Sequence, residues 1–142
     1  MPRRLIMLLL FPALPVAADD KKPDPKADAA ALKGTWEVVS SRFDGNDLPT
    51  AGRTLVFGDK EFTAYVGDKK GRTLTLALDP TTNPKRIDLD KGGKDGKAFG
   101  IYALDKDGLK ICYGEPGAER PRAFESKAGS RVFLLVLKRV PK

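Results

Sequence analysis

Nineteen acidic side chains, one cysteine and no histidine bound the chemistry open to this chain. Histidine is the commonest general base near neutral pH and the commonest transition-metal ligand, so its absence removes both at once. With Cys112 the only thiol, Ser-His-Asp triads, Cys-His pairs and Cys/His zinc sites are ruled out. Carboxylates remain, yet Asp59, Asp68, Asp105 and Asp107 fall in glycine-marked turns, where Asp caps backbone. The nearest approach to a calcium loop is Asp88-x-Asp90, followed by Gly92-Gly93 and Asp95. Counted from Asp88, position five is Gly92 and position twelve is Phe99, where an EF-hand needs an oxygen ligand and a glutamate. No catalytic residue, metal site or cofactor is expected.

Two polar stretches hold the other candidate groups. Asp79-Pro80-Thr81-Thr82-Asn83-Pro84 reads as a rigid connection, with Asp79 and Asn83 bonding nearby backbone and the prolines fixing φ. Gly114 to Ser130 is a long connection carrying Arg120, Arg122 and Lys127 around Pro121 and Phe124, at a length where loops are often functional. Arg120, Arg122 and Phe124 are its candidate contacts for an acidic partner, with Phe124 able to anchor a short extra strand. A solvated cover over the last strand explains the same segment equally well.

The chain that must position these groups opens with a targeting pattern. Arg3 and Arg4 precede the apolar run Leu5 to Phe11, and Val16-Ala17-Ala18 supplies the small residues of a cleavage site, so residues 1–18 are expected to be a signal peptide. The apolar stretch is broken by Pro12 and Pro15 and is too short for a retained span of about 20 residues, so no stable membrane anchor is expected after cleavage. Export to the periplasm, cell envelope or exterior follows. Residues 19–26 are charged and proline-broken and read as a disordered leader. Residues 27–142 are then one domain, opening with a short helix over Asp28 to Lys33, capped by Asp28 and stopped by Gly34. The net charge of +7 falls by two with Arg3 and Arg4, and the remaining cations are interspersed with acids. That distribution describes a solvated surface and excludes a nucleic-acid arm, which needs a clustered phosphate-tracking face. Cys112 has no internal partner and is expected to be a buried, inert thiol.

From Thr35 onward, apolar and polar residues alternate with period two in short runs separated by Gly, Asp, Asn and Pro. Eight strands are expected: Thr35 to Phe43, Arg53 to Phe57, Glu61 to Val66, Arg72 to Leu78, Arg86 to Leu89, Ala98 to Leu104, Leu109 to Tyr113 and Arg131 to Arg139. Alternation groups Phe62, Ala64 and Val66 with Leu74, Leu76 and Leu78 on one inner face. Ile87 and Leu89, Ile101 and Ala103, and Leu109, Ile111 and Tyr113 join them, while Tyr102 points the opposite way, under a cover or at a rim. Val132 to Leu137 is apolar on both faces and needs an outer cover, either the N-terminal helix or a long loop. Eight such strands close most simply as an up-and-down antiparallel barrel, which abolishes exposed edges.

Leu32-Lys33-Gly34-Thr35-Trp36 looks like the Gly-x-Trp signature of lipocalins, whose tryptophan closes one barrel end beneath an arginine from the last strand. Arg139 stands where that arginine should be, and a guanidinium on an indole face gains about 0.5–2 kcal/mol. A longer ordered set includes Asp44-Gly45, Asp79-Pro80, Asn83-Pro84-x-x-Ile87-Asp88, Gly100-Ile101-Tyr102, Leu109-x-Ile111-Cys112, Arg120-Pro121 and Lys138-Arg139. Together these resemble a family of small secreted domains best known from planctomycetes, over about Leu32 to Arg139. The resemblance implies secretion and a lipocalin-like fold, and it brings no activity with it.

The expected function is an exported, non-catalytic binding barrel for a small apolar or amphipathic ligand, lined by Phe62, Leu76, Ile101, Ile111 and Tyr113. A filled barrel acting as a structural or protein-interaction module is the rival, and a carboxylate enzyme is a distant third.

Overall fold

A computed structural model describes residues 24–92 and 96–141. The signal peptide expected over 1–18, and residues 19–23 of the expected leader, lie outside the described residues. Helix α1 (Pro25–Leu32) takes up Pro25 and Lys26, so the folded part starts two residues earlier than its composition suggests. Its N-cap is Asp24, whose carboxylate accepts from the Lys26 amide at 2.9 Å, with Pro25 in the first turn where a missing N–H costs nothing. Asp28 is therefore not the cap. Its Oδ2 accepts from the Tyr102 hydroxyl at 2.6 Å and from Lys85 Nζ at 3.1 Å, tying the helix to the strands below it.

Nine strands follow: β1 (Gly34–Phe43), β2 (Asn46–Asp47), β3 (Arg53–Phe57), β4 (Glu61–Val66), β5 (Lys69–Asp79), β6 (Lys85–Asp90), β7 (Lys97–Leu104), β8 (Gly108–Gly114) and β9 (Val132–Arg139). All eight expected strands form, with ends displaced by at most a few residues. From β3 to β9 each strand pairs antiparallel with the next in sequence, and β1 pairs with both β3 and β9. That last pairing, running from Trp36↔Arg139 to Phe43↔Phe133, closes an eight-stranded, lipocalin-like barrel. The two-residue β2 hangs off the end of β1 and takes no part in closure.

Which side chains enter the barrel departs from simple alternation in β1 and β7, and the β4–β5 register shifts between Thr63 and Tyr65 as well. A bulge between Val38 and Ser40 puts Trp36 and Val38 inside, leaves Val39 53% exposed, and brings Ser41 and Phe43 back inside. Without that extra residue Arg42 would take Phe43's place. In β7 the inward residues are Ala98, Gly100, Tyr102 and Leu104, the reverse of the expected Ile101 and Ala103. Tyr102 pairs with Ile111 and is fully buried in the core, whereas Ile101 pairs with Cys112 on the outside. Alternation could not decide this strand, because Phe99, Ile101 and Ala103 are as apolar as their neighbours. Partner shape decides it: Ile87 and Tyr113 flank Gly100, and a Cβ there would meet Cys112 O at 2.5 Å and Tyr113 Cβ at 2.7 Å. At the end of β4, Val66 was grouped with the inner residues but is 57% exposed at the hairpin tip.

Ile101, Cys112 and Leu134 form an apolar outer strip on β7, β8 and β9. The cover is the long segment 115–131, not α1. Ser126 is buried, donates to Val132 O at 2.7 Å and accepts from the Gly45 amide at 3.2 Å. Arg120 Nη1 donates to Gly100 O at 2.8 Å, pairs with Asp88 and lies over the Phe99 ring. The segment contains no strand, so the half-buried Phe124 anchors none.

Cys112 is buried beneath this cover, its thiol pointing at the carbonyls of Ala123 (3.5 Å) and Glu125 (3.6 Å). Burial pushes its pKa up, so little of the reactive thiolate forms. Native protein at pH 8 is expected to resist an aromatic disulfide reagent and to titrate one thiol per chain once unfolded in guanidinium. Rapid native labelling would show that the cover opens readily.

Candidate functional site

The two ends of the barrel differ in how they are filled. At the floor, the Trp36 indole is fully buried, donates Nε1–H to Leu32 O at 2.9 Å, and carries the Arg139 guanidinium 4.2 Å above its ring. Arg139 also donates to the carbonyls of Ala31 and Lys33, so it plugs the floor and caps the end of α1 together. Gly34 takes φ +122, a backbone region that side chains avoid, beside the Arg139 guanidinium. Above this, Tyr102, Ile87, Leu109, Ile111 and Leu137 are packed with almost no exposure. The lower half is solid.

The other end is open. On β1, β9 and β8 the inward rings of Phe43, Phe133 and Tyr113 sit side by side, paired across strands, with centroids 4.2 Å and 4.9 Å apart. The first pair is tilted by 31° and the second stacked at 18°, so the three rings make a continuous aromatic wall. In the cyclic strand order, β5 lies opposite β9. From that side come Leu74 and Arg72, and next to it Lys91 leaves the end of β6. Together these groups surround a recess of about 430 Å³ open to solvent, with Ala98 deeper in and Glu115 and Pro116 from the covering segment at its rim. The volume is within the range of small-ligand sites.

The recess lining carries two cations, Arg72 and Lys91, and one carboxylate, Glu115. The Glu115 carboxylate is paired with Arg131, and Asp90 Oδ1 accepts from the Gly92 amide at 2.8 Å. The ion pairs found among the described residues include none with Arg53, Arg72 or Lys91. Tyr113 is half-buried in the aromatic wall, and desolvation pushes its phenol up to about 12, while the charge of Arg53 pulls weakly the other way. Tyr113 thus stays a neutral hydroxyl throughout the physiological range.

The residues expected to line a ligand cavity separate in space. Phe62 and Ile111 face inward but are locked in the packed core. Leu76 is also inward, at a place where β5 runs past the start of β4, and borders a second recess of about 500 Å³ under α1. Ile101 is on the outside, beneath the cover. Of the five, Tyr113 alone reaches the mouth. Sequence patterning does not point to Phe43, Phe133, Arg72 or Lys91, because they come from β1, β9, β5 and the end of β6 and meet only through barrel closure. The Asp44-Gly45 turn after Phe43 was the sequence signal that β1 ends there.

The loop candidates separate too. Arg120 is committed to backbone carbonyls and Asp88, while Arg122 is exposed on the wall of an outer groove of about 620 Å³ shared with Asn83, Pro84 and Arg86. Beside that groove Asp79 Oδ1 accepts from the Thr81 amide and hydroxyl, which holds its carboxyl below the usual range. Among the described residues no group of three His, Cys, Asp or Glu side chains converges as a metal site, and no helix is long and apolar enough to cross a membrane. The chain matches no family model, no curated protein and no solved structure.

One interior polar atom breaks the apolar pattern. Ser41, two residues below Phe43 on β1, is 3% exposed and its hydroxyl has no hydrogen-bond partner among the described residues. Leaving such a group buried costs about 1–3 kcal/mol. Ser41→Ala is therefore expected to be neutral or to raise stability by about 1 kcal/mol, read from the urea midpoint at unchanged m-value. A clear loss would mean that the hydroxyl is hydrogen-bonded in solution.

Proposed function

We propose that this protein is an exported, non-catalytic binding module that holds a small apolar or amphipathic ligand in the mouth of its barrel, and that it belongs with the secreted family its motifs resemble. The observation that supports the reading best is the contrast between a solid lower half and an open, aromatic-walled recess of about 430 Å³. Eight-stranded barrels divide between filled ones and ones that hold a single ligand, and this chain combines the two. Because Tyr102, Ile111 and Trp36 occupy the space a long acyl chain would need, the ligand is a ring system or a short chain. The absence of histidine and the commitment of Cys112 to packing favour binding over catalysis.

The solid core also supports the rival reading, a structural or protein-interaction module of the envelope. Native mass spectrometry of protein purified from its own source separates the two. A reproducible bound mass of small-molecule size, lost in Phe133→Ala, supports ligand binding. A bare chain mass, together with no thermal shift across a panel of ring compounds and short-chain amphipaths, favours the rival.

A further inference from the structure

The two sides of the mouth are chemically unlike. One, formed by Phe43, Phe133 and Tyr113, presents π faces and a single neutral hydroxyl. The other bears Arg72, on the β5 side across from Phe133, and Lys91 at the end of β6. Arg53 does not line the recess; its Nη1 donates to Pro49 O at 2.9 Å. Of the nearby carboxylates, Glu115 is paired with Arg131, while Asp90 accepts from the Gly92 amide, a bond that leaves its charge in place, and does not line the recess. An apolar compound alone would use the rings and leave Arg72 and Lys91, which have no ion-pair partner among the described residues, unused.

We infer that the ligand of this mouth is a small aryl anion, a carboxylate or sulfonate, whose ring lies on the Phe43–Phe133–Tyr113 wall while its charged group meets Arg72 and Lys91 on the facing side. This deepens the binding reading above and rests on it. A charged acceptor meeting two cations makes stronger hydrogen bonds than a neutral one, and arginine can offer a carboxylate or sulfonate two parallel donors. The opening is wet, so the charge contributes selectivity in a salt-dependent way, with the ring supplying the contact area. Arg122 and Arg86 on the outer groove are a comparison set of cations without an aromatic wall.

The test compares two fluorescent probes that share a naphthyl-phenylamine body: 1-anilinonaphthalene-8-sulfonate, which is anionic, and N-phenyl-1-naphthylamine, which is neutral. Full-length protein at low ionic strength is expected to bind the sulfonate about tenfold more tightly than the amine, a preference that shrinks in 0.5 M salt. Arg72→Gln with Lys91→Gln is expected to abolish that preference while amine binding and melting temperature stay unchanged. Arg86→Gln with Arg122→Gln should leave both probes as in the unaltered protein, and amide shifts on sulfonate binding should centre on Phe43, Tyr113 and Phe133. Equal binding of the two probes, or a preference surviving the Arg72/Lys91 change, overturns the anion assignment but keeps the mouth as an apolar site. Binding of neither probe overturns the binding reading itself.

Discussion

Trp36→Ala is expected to destabilise the protein by about 3–5 kcal/mol, the cost of truncating a large buried ring that its surroundings cannot refill. That is a large share of the roughly 5–15 kcal/mol that holds a domain together, so loss of a cooperative unfolding transition at 37 °C is part of the same expectation. The effect is large because the indole serves three neighbours. It fills the floor, gives its N–H to Leu32 O and so fixes the end of α1, and supplies the face on which Arg139 lies. Trp36→Phe keeps a ring but drops the hydrogen bond, and should cost visibly less. Arg139→Ala should cost about 1–3 kcal/mol through lost packing and an uncovered indole. Denaturant unfolding of Trp36→Phe, Arg139→Ala and the double variant gives the part of the coupling special to the indole; strictly additive losses would mean that Arg139 gains no more from the indole than from a phenyl ring.

The second large effect is expected from the smallest change. Gly100→Ala adds one methyl group on the inner face of β7, where it would stand 2.5 Å from Cys112 O and 2.7 Å from Tyr113 Cβ. Neither neighbour can swing away, since both belong to the paired β8 strand. Overpacking of this kind costs about 1–3 kcal/mol and sometimes more, and the upper end is expected here because the clash is with backbone. The strain also has a direction. Forced apart from β7, Tyr113 must shift against Phe133, so Gly100→Ala should alter the mouth as well as lower the melting temperature. Binding of the anionic naphthyl probe should weaken at temperatures where the variant is still folded. A melting temperature within a degree of the unaltered protein would show that β7 and β8 separate more easily than the register suggests.

These two positions differ in how visible they were beforehand. Trp36 and Arg139 are recognisable as a bracket because Gly34-Thr35-Trp36 and the terminal Arg139 resemble the lipocalin signature, and closing an antiparallel barrel of eight strands brings the start of the first and the end of the last together. Gly100 looks like any glycine in a strand until its neighbours are known. The same division runs through the rest of the molecule. Period-two alternation between flanking turn residues located Arg53–Phe57 and Glu61–Val66 to the residue. It assigned β7 the wrong way round, since both faces of Ala98 to Leu104 are apolar and parity alone carries no direction. In β1 it could not anticipate the bulge at Val39, which depends on the partner strand and reverses every side chain after it.

Composition by itself decided what chemistry is closed to this chain, for no arrangement in space creates a histidine or a second cysteine. Local patterning decided that it is a chain of short paired strands behind one short helix, and the tryptophan floor was what the resemblance to lipocalins implied. Tertiary structure alone decided which end is solid and which open, that the 115–131 segment covers Cys112, and that three rings from β1, β8 and β9 confront cations from the opposite side. The reason is physical: neighbouring side chains on a strand are set by local geometry, whereas groups across a barrel meet only when the first strand pairs with the last.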